Sequence, residues 1–87
     1  MYKIEWKHSA RKELKKLKKD DIPRIIKTVE DLSLNPYPPG TRKLQGCKYL
    51  YRIRVGKYRI VYFVKNEVLV IEIIRIGHRK DIYKKFI

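Results

Sequence analysis

Residues 51–62 read Tyr51-Arg52-Ile53-Arg54-Val55-Gly56-Lys57-Tyr58-Arg59-Ile60-Val61-Tyr62. Apolar and basic side chains alternate on both sides of Gly56-Lys57, the pattern of strands with one buried face. A two-residue loop with glycine first suits a tight hairpin turn. With Gly56-Lys57 as the whole loop, Val55 pairs with Tyr58, Arg54 with Arg59, Ile53 with Ile60, Arg52 with Val61, and Tyr51 with Tyr62. Directly opposed residues share a face. One face then carries Tyr49, Tyr51, Ile53, Val55, Tyr58, Ile60, Tyr62 and Val64, and is the expected core. The other gathers Arg52, Arg54 and Arg59. A slip of one residue would bury the arginines, so the pattern itself argues for this register.

Opposing Arg54 to Arg59 sets like charge against like, which costs stability. Three guanidiniums on one exposed sheet face form a clamp suited to phosphate, since each offers a planar fork of donors.

Outward from the hairpin, a third strand is expected over about Val68–Ile76, joined by a two-residue turn at Asn66-Glu67. This pairing adds Leu69, Ile71 and Ile73 to the core face. It adds Val70, Glu72 and Ile74 to the arginine face, with Glu72 in the row of Arg52 and Val61. Residues 36–48, with three prolines and two glycines, read as an irregular loop. Upstream, Tyr2–Trp6 alternates as a strand. Ser9 is expected to cap a helix to about Lys19, with Ala10, Leu14 and Leu17 at i, i+4 and i+7. Asp20 or Asp21 is expected to cap a second helix, with Pro23 in its first turn and Ile22, Ile25, Ile26, Val29 and Leu32 as its buried stripe. Asn35-Pro36 ends it. A short link makes the helices an antiparallel hairpin. Past Gly77, residues 79–86 suit a short helix or an extended tail. The order of strand, two helices, three antiparallel strands and tail is α+β.

At 87 residues the chain is one domain, 1–87, with one core and a shallow surface site. It carries 23 lysines and arginines against 9 acidic residues, a net charge of +14. Such a charge on a small fold points to a polyanionic partner. Residues 36–59 hold seven basic and no acidic side chains, among them Arg42, Lys43 and Lys48. The first helix presents Arg11, Lys12, Lys15, Lys16, Lys18 and Lys19, which suit long-range contact with phosphates. A single Cys47 excludes an internal disulfide and a cysteine zinc cluster, and two histidines argue against a histidine metal site. No metal and no cofactor are expected. No apolar stretch is long enough to span a membrane, and the N-terminus lacks the apolar region of a signal peptide, so the expected compartment is cytoplasmic.

In Gly77-His78-Arg79, just past the last strand, His78 is a candidate acid or base near neutral pH. Arg79 is a candidate fourth cation. Tyr83, four residues on, reaches the same site if the tail turns back.

Lys43-Leu44-Gln45-Gly46, the Tyr51–Tyr62 hairpin, Gly77-His78-Arg79 and Tyr83 together resemble the RelE/ParE superfamily of toxins, over essentially the whole chain. The resemblance implies a helical hairpin packed on a curved, mostly antiparallel sheet. For a RelE-type member it implies a metal-independent endoribonuclease that cuts mRNA in the ribosomal A site. In that chemistry the RNA 2′-hydroxyl attacks the adjacent phosphate. It further implies a cognate RelB-like antitoxin, with the toxin monomeric alone and heteromeric in the complex. Arg52 and Arg54 match basic positions of the second strand, Arg59 the arginine on the scissile phosphate, Arg79 a C-terminal arginine, and Tyr83 a tyrosine that orients the nucleotide. Where relatives can use a lysine as base, this chain has Arg54, which does not readily deprotonate. Its expected role is electrostatic. The base is then open among His78, Glu72 and a ribosomal group. The alternatives are a ParE-like inhibitor that binds DNA gyrase without catalysis, and a catalytically weak RNA- or ribosome-binding module.

Overall fold

The computed structural model describes residues 1–46 and 48–78. The expectations for Cys47, Arg79, Tyr83 and the tail lie outside the described residues.

The elements run β1 (Lys3–Trp6), α1 (His8–Lys15), α2 (Ile22–Leu32), β2 (Arg42–Lys43), β3 (Leu50–Val55), β4 (Tyr58–Lys65) and β5 (Val70–His78). The strands form one five-stranded sheet in the order β1-β5-β4-β3-β2. β1 runs parallel to β5, and every other pairing is antiparallel. The helices pack on one face of this sheet, α1 against β5 and α2 against β3, giving the expected α+β architecture. Among the described residues no helix is long and apolar enough to cross a membrane.

The hairpin register is the expected one throughout, from Tyr51–Tyr62 to Val55–Tyr58. Gly56 takes a left-handed φ of 58° in the turn, which a side chain would resist. Its strands supply Ile53, Val55, Tyr58, Ile60, Tyr62 and Val64 to the buried core, where they meet Ile71, Ile73 and Ile76 from β5. Ala10, Ile25, Val29 and Leu32 close the core from the helices. Tyr62 is completely buried, and its hydroxyl donates to the Pro36 carbonyl at 2.7 Å. This bond pins the proline-rich segment across the core edge. Burial pushes the Tyr62 phenol up to about 12.

Several local expectations are corrected. α1 starts after Lys7, because the Lys7 N–H still bonds the Ile73 carbonyl at 2.9 Å and the chain passes straight from strand to helix; Ser9 lies inside the first turn. α1 stops at Lys15 rather than Lys19. The N–H groups of Lys16 and Leu17 bond back three residues, to Glu13 and Leu14, and this tighter winding carries Leu17 onto the core. Asp21 stands at the N-cap of α2, but its side chain makes no bond to the helix backbone, since the carboxylate accepts from the Tyr58 hydroxyl at 2.8 Å. Two residues of the proline-rich loop, Arg42 and Lys43, pair with β3 and become its edge strand. Tyr49 precedes β3 and is 54% exposed instead of lying in the core. The second turn has four residues, Asn66 to Leu69, because Lys65 pairs with Val70. Leu69, at φ 55° and half exposed, is therefore a turn residue and not a core one.

Candidate nucleic-acid interface

The sheet face turned away from the helices carries the arginines. Arg54 pairs with Arg59, and Arg59 in turn pairs with Gly77, so these three share a row. The next row runs Arg42, Arg52, Val61, Arg75 across four strands. The expected grouping of Arg52, Arg54 and Arg59 is thus present, and Arg42 joins it.

The face is less open than expected. Arg54 and Arg42 are exposed and Arg52 is half-buried, but Arg59 is only 6% exposed. β4 is the central strand, with Arg54 of β3 on one side of Arg59 and the backbone of Gly77 of β5 on the other. A guanidinium held in such surroundings has its direction set by its neighbours and acts in a lower dielectric than a surface one.

Arg75 was not expected here. Its place follows from a bulge in β5, where the register shifts opposite Val61 and Tyr62 and Ile74 is left without a partner. A bulge inverts the facing of every later residue. Ile76 thereby turns into the core, and Arg75 joins the row of Arg52. The sequence holds a signal for this: the Ile73-Ile74 doublet breaks the alternation between Ile71-Glu72-Ile73 and Ile74-Arg75-Ile76. The Arg75 guanidinium reaches the Glu13 carboxylate of α1 at 2.8 Å, so it arrives with its own counter-ion.

Glu72 is not in the row of Arg52 and Val61. The four-residue turn displaces the pairing by two, so Glu72 stands across from Phe63 and its carboxylate lies 3.7 Å from Lys65. His78 also departs from expectation. It is the last residue of β5 rather than a loop residue, and it pairs with Tyr58, their rings 5.1 Å apart. Tyr58 belongs to the core face, so His78 stands on the helix side, away from Arg54 and Arg59. There it borders a hollow of about 430 Å³ together with Lys16, Lys18, Lys57 and Tyr58.

The remaining basic residues divide between two places. Arg11, Lys12, Lys15, Lys16, Lys18 and Lys19 are all exposed on α1 and the turn after it, in the helix layer. Lys43 and Lys48 flank a shallow hollow of about 590 Å³ beside the Leu44-Gln45-Gly46 turn, at the β2 edge. Among the described residues the cations thus lie on several sides of the molecule, and the arginine face is where they stand on paired strands.

Residues 4–83 match the family described as the ParE toxin of the type II toxin-antitoxin system, parDE. The chain belongs to this toxin family. Toxin RelG of Mycobacterium tuberculosis is 32% identical over 89 residues, covering 97% of this chain and 98% of the relative. The isolated RelE toxin of Escherichia coli superposes with a TM-score of 0.80 at 27% identity, covering 99% of this chain and 95% of that one. The RelE–RelB complex of Pyrococcus horikoshii OT3 gives a TM-score of 0.81 at 29% identity over 92% of this chain and 97% of that chain. The protein is a RelE-like toxin of a type II toxin–antitoxin system, and the arginine face lies within the span that the family covers.

Proposed function

We propose that this RelE-like toxin is a ribosome-dependent endoribonuclease that cleaves mRNA in the A site and so stops translation. The observation that carries the reading is the pairing of Arg54 with the buried Arg59 on one sheet face. This arrangement costs stability and is suited to a phosphate.

The RNA 2′-hydroxyl attacks the adjacent phosphorus. A new O–P bond forms, the bond to the 5′-oxygen breaks, and the products are a 2′,3′-cyclic phosphate and a 5′-hydroxyl. Negative charge builds on the non-bridging oxygens as the pentacovalent state forms. Arg59 holds those oxygens, with Arg52 and Arg54 adding charge from β3, and preorganised donors of this kind act most strongly where charge develops. Arg79 and Tyr83 complete the set, the first on the transition state or leaving group and the second on the nucleotide. A guanidinium is no base at neutral pH, so the arginines do not take the 2′ proton. The registers of Glu72 and His78, away from the Arg54–Arg59 pair, favour a ribosomal group for the proton transfers. The exposed lysines of α1, with Arg42, Lys43 and Lys48, supply the attraction to the ribosome and its RNA. The partner that restrains the toxin is a RelB-like antitoxin, as in the complex of the P. horikoshii relative.

The test is to add the purified protein to a translating extract and map new mRNA 5′ ends, with Arg59→Ala beside it. Cuts in phase with codons, dependent on translation and lost in the variant, are the expected result. A folded wild-type protein that makes no cuts overturns the reading. The matched family is described by its ParE members, which favours gyrase inhibition as the second reading, and a supercoiling assay decides it.

A further inference from the structure

The arginine face does not end at the row of Arg52 and Val61. Side chains alternate along a strand, so Phe63, two residues past Val61 on β4, stands on the same face. Its partner on β3 is Leu50, and its partner on β5 is Glu72. The ring of Tyr49, from the turn that enters β3, lies 5.8 Å from the ring of Phe63 and is tilted to it by 42°. That separation is an aromatic contact. The two rings form a shelf bordering the arginine rows.

Tyr37, Tyr51 and Tyr62 also meet one another, but around the completely buried Tyr62. Tyr49 is instead exposed, and Phe63 beside it is half-buried. The Lys65 ammonium lies 5.8 Å from the centre of the Phe63 ring and 3.7 Å from the Glu72 carboxylate. The carboxylate of this row is therefore matched by a cation. Exposed Lys48, next to Tyr49 in the chain, and Arg52, in the adjacent row, make the surroundings of the shelf positive.

An exposed tyrosine by itself is ordinary. Paired rings on a cationic sheet face are what an unpaired nucleic-acid strand needs, since its phosphates follow the cations and any base stacks on an aromatic ring. Phe63 lies four residues from Arg59 on the same strand, a distance of about 13 Å. One RNA strand laid along β4 then meets the arginines with a phosphate and the shelf with a base.

We propose that Tyr49 and Phe63 form a base-stacking subsite for single-stranded RNA, displaced along β4 from the Arg54–Arg59 pair. Tyr49 supplies the exposed ring on which the base lies, and Phe63 orients that ring. The subsite deepens the nuclease reading and rests on it for the RNA ligand, and the two can fail separately.

Wild type, Tyr49→Ala, Tyr49→Trp and Phe63→Leu are compared by fluorescence anisotropy with two probes. One is a fluorescein-labelled 2′-O-methyl RNA, whose blocked 2′-oxygen prevents cleavage. The other has the same length and charge, with abasic spacers in place of the bases. Thermal unfolding and mRNA cleavage in the translating extract accompany the binding curves. Tyr49→Ala should bind the RNA about tenfold more weakly than wild type, and Tyr49→Trp at least as tightly as wild type. Phe63→Leu should show a smaller loss. The dependence of affinity on salt should keep its slope in Tyr49→Ala, because no phosphate contact is removed. On the abasic probe wild type and Tyr49→Ala should bind alike. A role confined to the fold, or to a protein partner, leaves RNA binding of the folded Tyr49→Ala within about twofold of wild type and overturns the proposal. An equal loss on both probes overturns it too, since Tyr49 would then act on the backbone. So does a wild-type protein that binds neither probe. If wild type binds the RNA through Tyr49 but cuts nothing, the nuclease reading fails and the subsite stands. If wild type cuts in phase with codons while Tyr49→Ala binds normally, the subsite fails and the nuclease reading stands.

Discussion

The Glu13 carboxylate holds Arg75 and the backbone of β5 together. One oxygen accepts from the Arg75 guanidinium at 2.8 Å, and the other accepts from the Ile76 N–H at 3.0 Å. β1 pairs with β5 only as far as Ile73, and among the described residues no strand continues along that edge of β5. Glu13 projects from α1 into the place that a further strand residue would fill. A carboxylate there satisfies the edge N–H and neutralises the arginine that the bulge has turned onto the far face.

Removing that carboxylate should therefore cost more than an ordinary surface pair. The side chains of Arg75 and Glu13 are only 16% and 25% exposed. Hydrogen bonds to a charged group contribute about 1.5–3 kcal/mol. Glu13→Ala should lower the melting temperature on the order of 10 °C for a domain of this size. Glu13→Gln, which keeps an acceptor for the Ile76 N–H, should lose less. Thermal unfolding followed by circular dichroism checks both, and equal losses would show that the backbone bond contributes nothing.

Arg54 and Arg59 predict opposite effects on stability and activity. Like charges directly opposed destabilise a sheet by roughly 0.2–1 kcal/mol. Arg54→Thr should make the protein slightly more stable in urea while reducing cleavage. A variant that loses both stability and activity would mean that Arg54 supports the fold.

Arg59 is the position where chemistry should be most sensitive. Losing one preorganised donor costs about a hundredfold or more in rate. Arg59→Ala should abolish toxicity in growing cells with its circular dichroism unchanged. Arg59→Lys, which keeps the charge but not the planar fork, should recover only part of the activity. Full toxicity of the folded alanine variant would remove Arg59 from the clamp.

Alkaline pH should loosen the core through Tyr62. Burial raises its phenol from 10.0 to about 12. The unfolded chain ionises first, so the stabilisation is fully present below pH 10 and is lost as pH rises towards 12. Tyr51, raised chiefly by burial, and Tyr58, raised chiefly by its bond to Asp21, act in the same direction. Tyr62→Phe should flatten the fall in melting temperature between pH 10 and 12 relative to wild type. Parallel curves for the two proteins would show that Tyr62 does not carry the effect.

RNA binding should also fall steeply with salt if the arginine face and the α1 lysines meet phosphates. Titration of a single-stranded RNA at several ionic strengths measures the slope. Replacing Lys12 and Lys15 with glutamine should reduce that slope while leaving codon-phased cleavage detectable, since both residues are exposed on α1 and away from the arginine face.

The hairpin around Gly56-Lys57 was legible residue by residue, and with it the shared face of Arg52, Arg54 and Arg59. Alternation and a two-residue turn are local facts, and each excludes the neighbouring register. The core followed for the same reason, since Ile25, Val29 and Leu32 keep helical spacing and Ile71 and Ile73 keep strand spacing. Helix ends were less legible. The N-cap candidates Ser9 and Asp21 are absorbed, one into the helix and the other by Tyr58, because partners distant in the chain compete for their positions and side chains.

What the sequence determined by itself was the composition of the arginine face as far as β4, where every pairing is made within one tight turn. Tertiary structure decided the rest of that face. Two extra turn residues moved Glu72 out of the arginine row, and one unpaired Ile74 brought Arg75 into it and sent His78 to the opposite side. The parallel partner of β5 is β1, from the other end of the chain, and the edge beyond it is capped by Glu13 of α1. The placement of residues 74–78 is therefore settled by contacts made across the chain, which local alternation does not contain. The position of Arg59 inside the sheet has the same origin: β4 becomes the central strand only once β5 has joined it on the side away from β3.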